Sequence, residues 1–434
     1  MGLGLGIDLG LTVGVVSFAL GGVALGTCSG LVPGLHANNF AILLAAAAPS
    51  IPADPLLLGV AMLAAGVVHT FLDIVPALTL GVPDASMAIA ALPGHRLVLA
   101  GQGREALRLS AVGSALAVAV ALPLALPITW LMVSWYPTIQ ANLTFVLIAV
   151  VGFLLLTESS LRTALGGLFA FGLAAALGWA TLDVQPAAPL DAGSMLTPLL
   201  TGLFGAPILL DAMGGGGVPP QADATLTMPG RELGLTAGAG SLAGALVGYL
   251  PGVSAAIASV IALPAVPTDD PDRGFIVATS GASTSNTVFA LCALLALGTP
   301  RTGVMVAIDT TGVPLTVPAL LTAVIVGAAC GFLLVVAVGD RYLRTVGNLN
   351  YTAVSGVVFA LLFGLSFAFT GPVGVGVFFV ATLVGLLPPR FGARRVHLVG
   401  VLIGPLLLGG GVGFGGRARS PTDRPGVTTD RHAT

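Results

Sequence analysis

Apolar residues in this chain run on in long stretches, many near the twenty or so that cross a bilayer as one helix, and polar residues gather in short intervals between them. The pattern predicts an all-α, polytopic integral membrane protein with many crossings or half-crossings. Two of the apolar runs are interrupted from within. GLVPGLHANNFAI, Gly30 to Ile42, and GYLPGVSAAIASV, Gly248 to Val260, each carry a Pro-Gly pair that an unbroken helix would not tolerate.

The two interruptions belong to a longer correspondence. Gly26, Gly30, Pro33 and Gly34 recur as Gly244, Gly248, Pro251 and Gly252 at one constant spacing. LTLGVP (Leu78 to Pro83) recurs as LALGTP (Leu295 to Pro300) within one residue of it. Further on, Leu143 resembles Leu349 and Pro207 resembles Pro405, with the spacing shrinking. The chain therefore divides into a first membrane repeat, residues 1–215, a Gly- and Pro-rich connection, 216–232, and a second repeat, 233–415, followed by a polar tail, 416–434, expected to be disordered.

Arginine placement distinguishes parallel from inverted repeats, because basic loops favour the cytoplasm. Arg96, Arg104 and Arg108 cluster in the first half, and the matching stretch of the second has no arginine. Conversely, the counterparts of Arg341 and Arg344, and of Arg390, Arg394 and Arg395, around Trp135 to Thr138 and Val184 to Asp191, contain no arginine. Each basic loop faces a twin without arginine, which favours inverted topology; Arg417 and Arg419 in the tail run against a simple span count.

Inverted repeats with helices broken at matching positions point to a transporter that binds its solute near the bilayer midplane. Irregular backbone at that depth is tolerated where protein or a water-filled cavity surrounds it. Segments restarting after Pro33-Gly34 and Pro251-Gly252 would present free N–H groups, each end carrying about half a positive charge. Two such ends related by inversion suit an anion such as a carboxylate. Polar residues gather nearby: His36, Asn38 and Asn39 after the first break, Ser254 after the second, and the stretch SGASTSNT, which holds Ser283, Thr284, Ser285, Asn286 and Thr287. Its first-half counterpart is GVVHTFLD, with His69, Thr70 and Asp73. Such hydroxyls and amides hold Na⁺ or a solute, or they join membrane helices. The turns Thr79, Gly81, Pro83 and Gly298, Thr299, Pro300 complete the candidate binding set.

Composition agrees with the pattern: 56% hydrophobic, 8% charged, mean hydropathy +1.03. All sixteen basic residues are arginine, and a net charge of −2 gives no footing for nucleic acid. Cys28, Cys292 and Cys330 show no short paired spacing, so neither a zinc site nor a disulfide framework is expected, and no cofactor is. The amino terminus has no basic residue ahead of its apolar run, so the first span itself is expected to direct insertion. Ionisable groups in spans are costly, which singles out Asp73, Asp84, Arg301 and Asp309. Asp84 follows GVP and Arg301 follows GTP, an acid and a base at matching places; they pair across the two-fold or both lie at a membrane surface. His69 and Asp73, four apart, share one helical face and serve as a structural contact or a proton relay.

The paired PG segments, the LGVP and LGTP turns, and the blocks HTFLDIVPALTLGVPDASMAIAALPGHRL and SNTVFALCALLALGTPRTG resemble the large membrane subunit of tripartite tricarboxylate transporters, the TctA type, in its archaeal branch. The resemblance covers Gly14 to about Gly410. It implies a secondary permease of a prokaryotic cell membrane for organic di- or tricarboxylates, driven by a Na⁺ or H⁺ gradient. It also implies two partners, a small membrane subunit and an extracytoplasmic solute-binding protein. Where bacterial relatives tend to continue the turn with Gly, this chain has Asp84 and Arg301. Two other classes stay open: an anion channel, which shares the broken-helix signals, and an intramembrane enzyme built on His36, His69 and Asp73. The chain lacks HExxH, G-x-S-x-G and phosphate-loop motifs.

Overall fold

The fold follows from a computed structural model that describes residues 9–33, 35, 37–81, 91–189, 195–212, 218–223, 225–250, 255–262, 270–347 and 349–409. In lipid every backbone amide must be satisfied within its own segment or a closed sheet, and the described residues are accordingly helical with no strand among them. In chain order the helices are α1 (Leu9–Leu31), α2 (Ala37–Ala47), α3 (Pro55–Leu72), α4 (Ile74–Leu80), α5 (Ala91–Leu99), α6 (Gly103–Ala141), α7 (Leu143–Leu156), α8 (Leu161–Thr181), α9 (Leu196–Leu200) and α10 (Ala206–Ala212). They continue as α11 (Gly230–Tyr249), α12 (Ala255–Ala262), α13 (Pro271–Leu297), α14 (Gly303–Thr310), α15 (Val317–Gly347), α16 (Tyr351–Gly385), α17 (Leu387–Arg390) and α18 (Gly400–Leu407). Seven helical stretches among the described residues are long and apolar enough to cross a membrane.

Glycine sets the closest packing. Gly22, Gly26 and Gly30 repeat every fourth residue on α1, and a Cβ on them would meet Ala61, Ala65 and then Leu72 and the His69 carbonyl on α3. Gly240, Gly244 and Gly248 on α11 meet Ala278, Ala282 and Phe289 on α13 in the same way. Such small-residue faces let backbones approach where lipid supplies no hydrophobic drive between helices. In both pairs the residue numbers rise together, so α1 runs parallel to α3 and α11 parallel to α13.

That parallelism forces a return. α1 and α3 begin at the same end, so α2 must bring the chain back before Pro55, and α1 with α2 forms a hairpin that turns at Val32-Pro33. Its turning end lies beside His69 and Leu72, while α4 carries on to Leu80, eight residues or about 12 Å further by helical rise. α11 and α12 repeat the arrangement against α13, with Gly248 packed on Phe289.

α3 and α13 run in opposite directions. Thr70 meets Thr284 between them, the side chains of Leu78 and Ile276 both border Gly94, and Val304 and then Val313, beyond the end of α13, border Gly66 and then Gly59, progressively nearer the start of α3. Likewise α6 and α15 are antiparallel: Arg104 at the start of α6 pairs with Asp340 near the end of α15. The two hairpins thus enter from opposite ends. Packing is exchanged between the halves as well, α3 lying on α15 and α13 on α6, α8 on α18 and α16 on α9 and α10.

One end of this core carries a polar clasp. Arg273 reaches Glu105 at 2.8 Å and also pairs with Asp270; Glu105 accepts from the Thr227 hydroxyl at 2.6 Å; Arg344 joins Arg104 on Asp340. The connection between the halves is held here, with the Ala222 amide donating to the Gly101 carbonyl and Gln221 bridging Gly103 and Val98. The start of α6, the end of α15, the start of α13 and the linker therefore share one face, which also carries Arg96 and Arg108.

Candidate functional site

The polar centre of the molecule is a chain of hydroxyls. Thr70 on α3 donates to Thr284 on α13 at 3.3 Å, Thr284 donates to Ser114 on α6 at 2.9 Å, Ser114 donates to the Ser280 carbonyl at 3.1 Å, and the Ser280 and Ser110 hydroxyls lie 2.8 Å apart. All five residues are buried. A second branch joins Ser285 to the Ser241 carbonyl and Ser241 to the Ala117 carbonyl, tying α13 to α11 and α11 to α6. Four helices from both halves meet on these groups, each of which would be costly in lipid if left unmade.

Both hairpins reach this level. On α1, one turn before the hairpin bends, the Ser29 hydroxyl lies 2.9 Å from Nδ1 of His69, which is 1% exposed. On α11, Gly248 packs against the Asn286 carbonyl, and the next residue, Tyr249, exchanges a 2.7 Å hydrogen bond with the Thr129 hydroxyl of α6. α3 ends at Leu72, and Asp73 separates it from α4, its amide still donating to the His69 carbonyl. His69 and Asp73 therefore share a backbone turn, and the imidazole is directed to Ser29. Thr79 and Thr279, both fully buried, have hydroxyls with no hydrogen-bond partner among the described residues.

The sequence-derived candidates separate accordingly. Thr284 and Ser285 lie in the hydroxyl network; Ser283 and Thr287 are buried and Asn286 half-buried on the same helix. Pro33 is buried at the bend of the first hairpin. Gly81 and Gly298 do not join this centre. They are left-handed caps, φ 66° and 63°, that end α4 and α13 at opposite extremes of the antiparallel pair, as a residue without Cβ allows. Thr299, Pro300 and Arg301 follow the second cap. Arg301 donates to the Tyr136 hydroxyl and sits 5.2 Å from the centre of its ring; its Nε and the Thr299 hydroxyl have no partner among the described residues. Gly34, His36, Pro83, Asp84, Pro251, Gly252 and Ser254 lie outside the described residues, as do the side chains of Asn38 and Asn39, whose backbone opens α2. Ser110, Ser114 and Ser241 are network members, and Ser29 a partner of His69, that sequence reasoning did not single out. Ser110 and Ser114 stand four apart with Gly113 between them, a small-residue face readable on α6.

Among the described residues no cluster of His, Cys, Asp and Glu can hold a metal ion. What the centre offers among the described residues is chiefly hydroxyls and carbonyls, with His69 and Asp73 beside them.

Bundle and centre together define a multi-pass membrane protein with a polar interior built around broken helices. The chain belongs to the tripartite tricarboxylate transporter TctA family, whose model matches residues 16–400. It is similar to an uncharacterized protein of Methanocaldococcus jannaschii, 27% identical over 402 residues, which cover 89% of this chain and 96% of that one. No solved structure matches. Membership makes the protein a component of a transporter, and a tripartite family implies further subunits.

Proposed function

We propose that the chain is the permease of a secondary-active system that carries organic di- or tricarboxylates across the cell membrane, coupled to a Na⁺ or H⁺ gradient. One observation supports the reading: two helix pairs enter from opposite ends, and α1 and α11 pack against α3 and α13, the helices that carry the buried Thr70–Thr284 contact and its hydroxyl network. Residues 1–215 and 233–415 act in this proposal as inverted repeats, supported by the antiparallel courses of α3 and α13 and of α6 and α15. α2 and α12 begin after the two Pro-Gly pairs, and in this proposal the free N–H groups of their first turns supply positive potential to a carboxylate. Thr79 and Thr279 supply further hydroxyls for solute or Na⁺. The face bearing Arg96, Arg104, Arg108, Arg273 and Arg344 is cytoplasmic by the positive-inside rule. A small membrane subunit and an extracytoplasmic solute-binding protein complete the system.

The test is counterflow in proteoliposomes loaded with unlabelled carboxylates from a panel, with and without Na⁺ and a proton gradient. Exchange of labelled for unlabelled solute, with gradient-driven accumulation, is expected. Passive conductance without exchange would instead make the protein a channel, and no movement of any carboxylate in the presence of its partner subunits would reject the reading.

A further inference from the structure

A cavity of about 330 Å³ opens at the basic face between α6 and α15. Its rim carries Arg104, Arg108 and Arg344 against Asp223 and Asp340, and its floor is Leu107 and Val336. Among the described residues the lining holds three guanidiniums and two carboxylates. The carboxylates are also unequally placed: Asp340 serves Arg104 and Arg344 together, whereas the Asp223 side chain is 100% exposed, so its 2.9 Å pair with Arg104 is a surface contact that water screens. A guanidinium fork suits a phosphate bidentately. The floor matters as much as the rim, because Leu107 and Val336 come from two helices long enough to span the membrane. An arginine-rich rim over an apolar floor fits an amphiphile better than a small ion.

We infer that this cavity binds the phosphate head group of an anionic lipid. Basic pockets between spanning helices on the cytoplasmic side recognise such head groups by this chemistry. Because α6 belongs to the first half of the chain, α15 to the second and Asp223 to their connection, the lipid would tie the halves together at the clasped face. The site is separate from the hydroxyl centre, and the inference rests on the proposed cytoplasmic orientation of this face but not on the transport reading.

The full chain, purified and delipidated in an uncharged detergent, is titrated with phosphatidylglycerol, phosphatidylcholine and inorganic phosphate, and bound species are resolved by native mass spectrometry. One phosphatidylglycerol per chain is expected, in preference to phosphatidylcholine. The R108Q/R344Q variant should weaken it by about 30-fold, the attraction of two arginines for an anionic lipid. Both side chains are exposed, so the variant should fold; R108K/R344K keeps the charge and should retain most of the preference, and R162Q, on α8, should change nothing. Binding of inorganic phosphate at these arginines without lipid preference would overturn the lipid source. Equal binding of the two lipids, or a preference untouched in R108Q/R344Q, would overturn the site.

Discussion

The hydroxyls of Thr70 and Thr284 stand 3.3 Å apart, buried, on two helices that run in opposite directions and come from opposite halves of the chain. Thr284 passes the contact on to Ser114 of α6, so one side chain joins three helices. Its hydrogen bonds are the point at which the packing of the halves and the polar centre become one feature.

Thr284→Val keeps the shape and removes both bonds. Interhelical hydrogen bonds in membranes average about 0.6 kcal/mol, with a maximum near 1.7, so the variant should lose about 1 kcal/mol of stability in detergent unfolding. The T70V/T284V double variant should lose less than the two single losses added, because each single change already breaks the shared bond. Strict additivity would mean that the two hydroxyls do not interact.

The glycine faces give a sharper contrast. A Cβ on Gly26 would stand 2.4 Å from the Ala65 carbonyl oxygen, and one on Gly244 would stand 2.6 Å from that of Ala282, backbone atoms that cannot swing away. Gly21 and Gly238, on the same two helices, have nothing within 4 Å. G26A and G244A should therefore cost about 1–3 kcal/mol through overpacking, while G21A and G238A should be neutral or gain up to about 1 kcal/mol of helix propensity. Thermal unfolding of the four variants decides it; equal behaviour within each helix would place the α1–α3 and α11–α13 contacts elsewhere.

These contrasts also show what a reader of the sequence can recover. The LG-x-P turns were legible because only a residue without Cβ ends a helix at positive φ cheaply, and Gly81 and Gly298 do so. Pro33 was legible as a bend because proline cannot continue α1. Ser110 and Ser114 were not, because a serine on an apolar helix reads the same whether it bonds its own backbone or, as here, reaches α13. Nor was the Glu105–Arg273 clasp, whose partners lie on separate helices that only tertiary packing brings together. The candidate set accordingly mixed residues of the centre, Thr284 and Ser285, with the caps at the far ends of α4 and α13.

Acid should release a second buried contact. Glu158, in the turn between α7 and α8, is 3% exposed and accepts from Arg394 at 2.9 Å, with His397 Nε2 at 2.8 Å. Burial pushes its carboxyl up, but the hydrogen bonds of Arg394 and His397 and the Arg394 charge outweigh that and hold it below the ordinary carboxylate range. Since the folded value lies under the unfolded one, near 4.3, the contribution is complete above that pH and is lost as pH falls through the folded value. E158Q should be less stable than the parent at pH 7, and the gap should narrow in unfolding curves taken below about pH 4. A gap constant with pH would mean the carboxylate charge contributes nothing.

Arg301 poses the sharpest question about the solute. It follows the left-handed cap at Gly298, donates to the Tyr136 hydroxyl, and presents an Nε without a partner among the described residues beside the similarly placed Thr299 hydroxyl. If the transported species is a carboxylate, as proposed, that guanidinium is a ready partner at the end of α13. A hydrogen bond to a charged group is worth about 1.5–3 kcal/mol, so R301Q should raise the KM for carboxylate uptake by about 10- to 100-fold. Y136F, which frees the guanidinium without removing it, should leave KM within a few-fold of the parent. The competing role, an ion pair with Asp84, predicts the opposite pattern: the D84R/R301D exchange would restore transport lost in either single variant. Uptake kinetics of these five variants separate the two, since restoration by the exchange is incompatible with an arginine that must face the solute, and an unchanged KM in R301Q removes the arginine from recognition altogether.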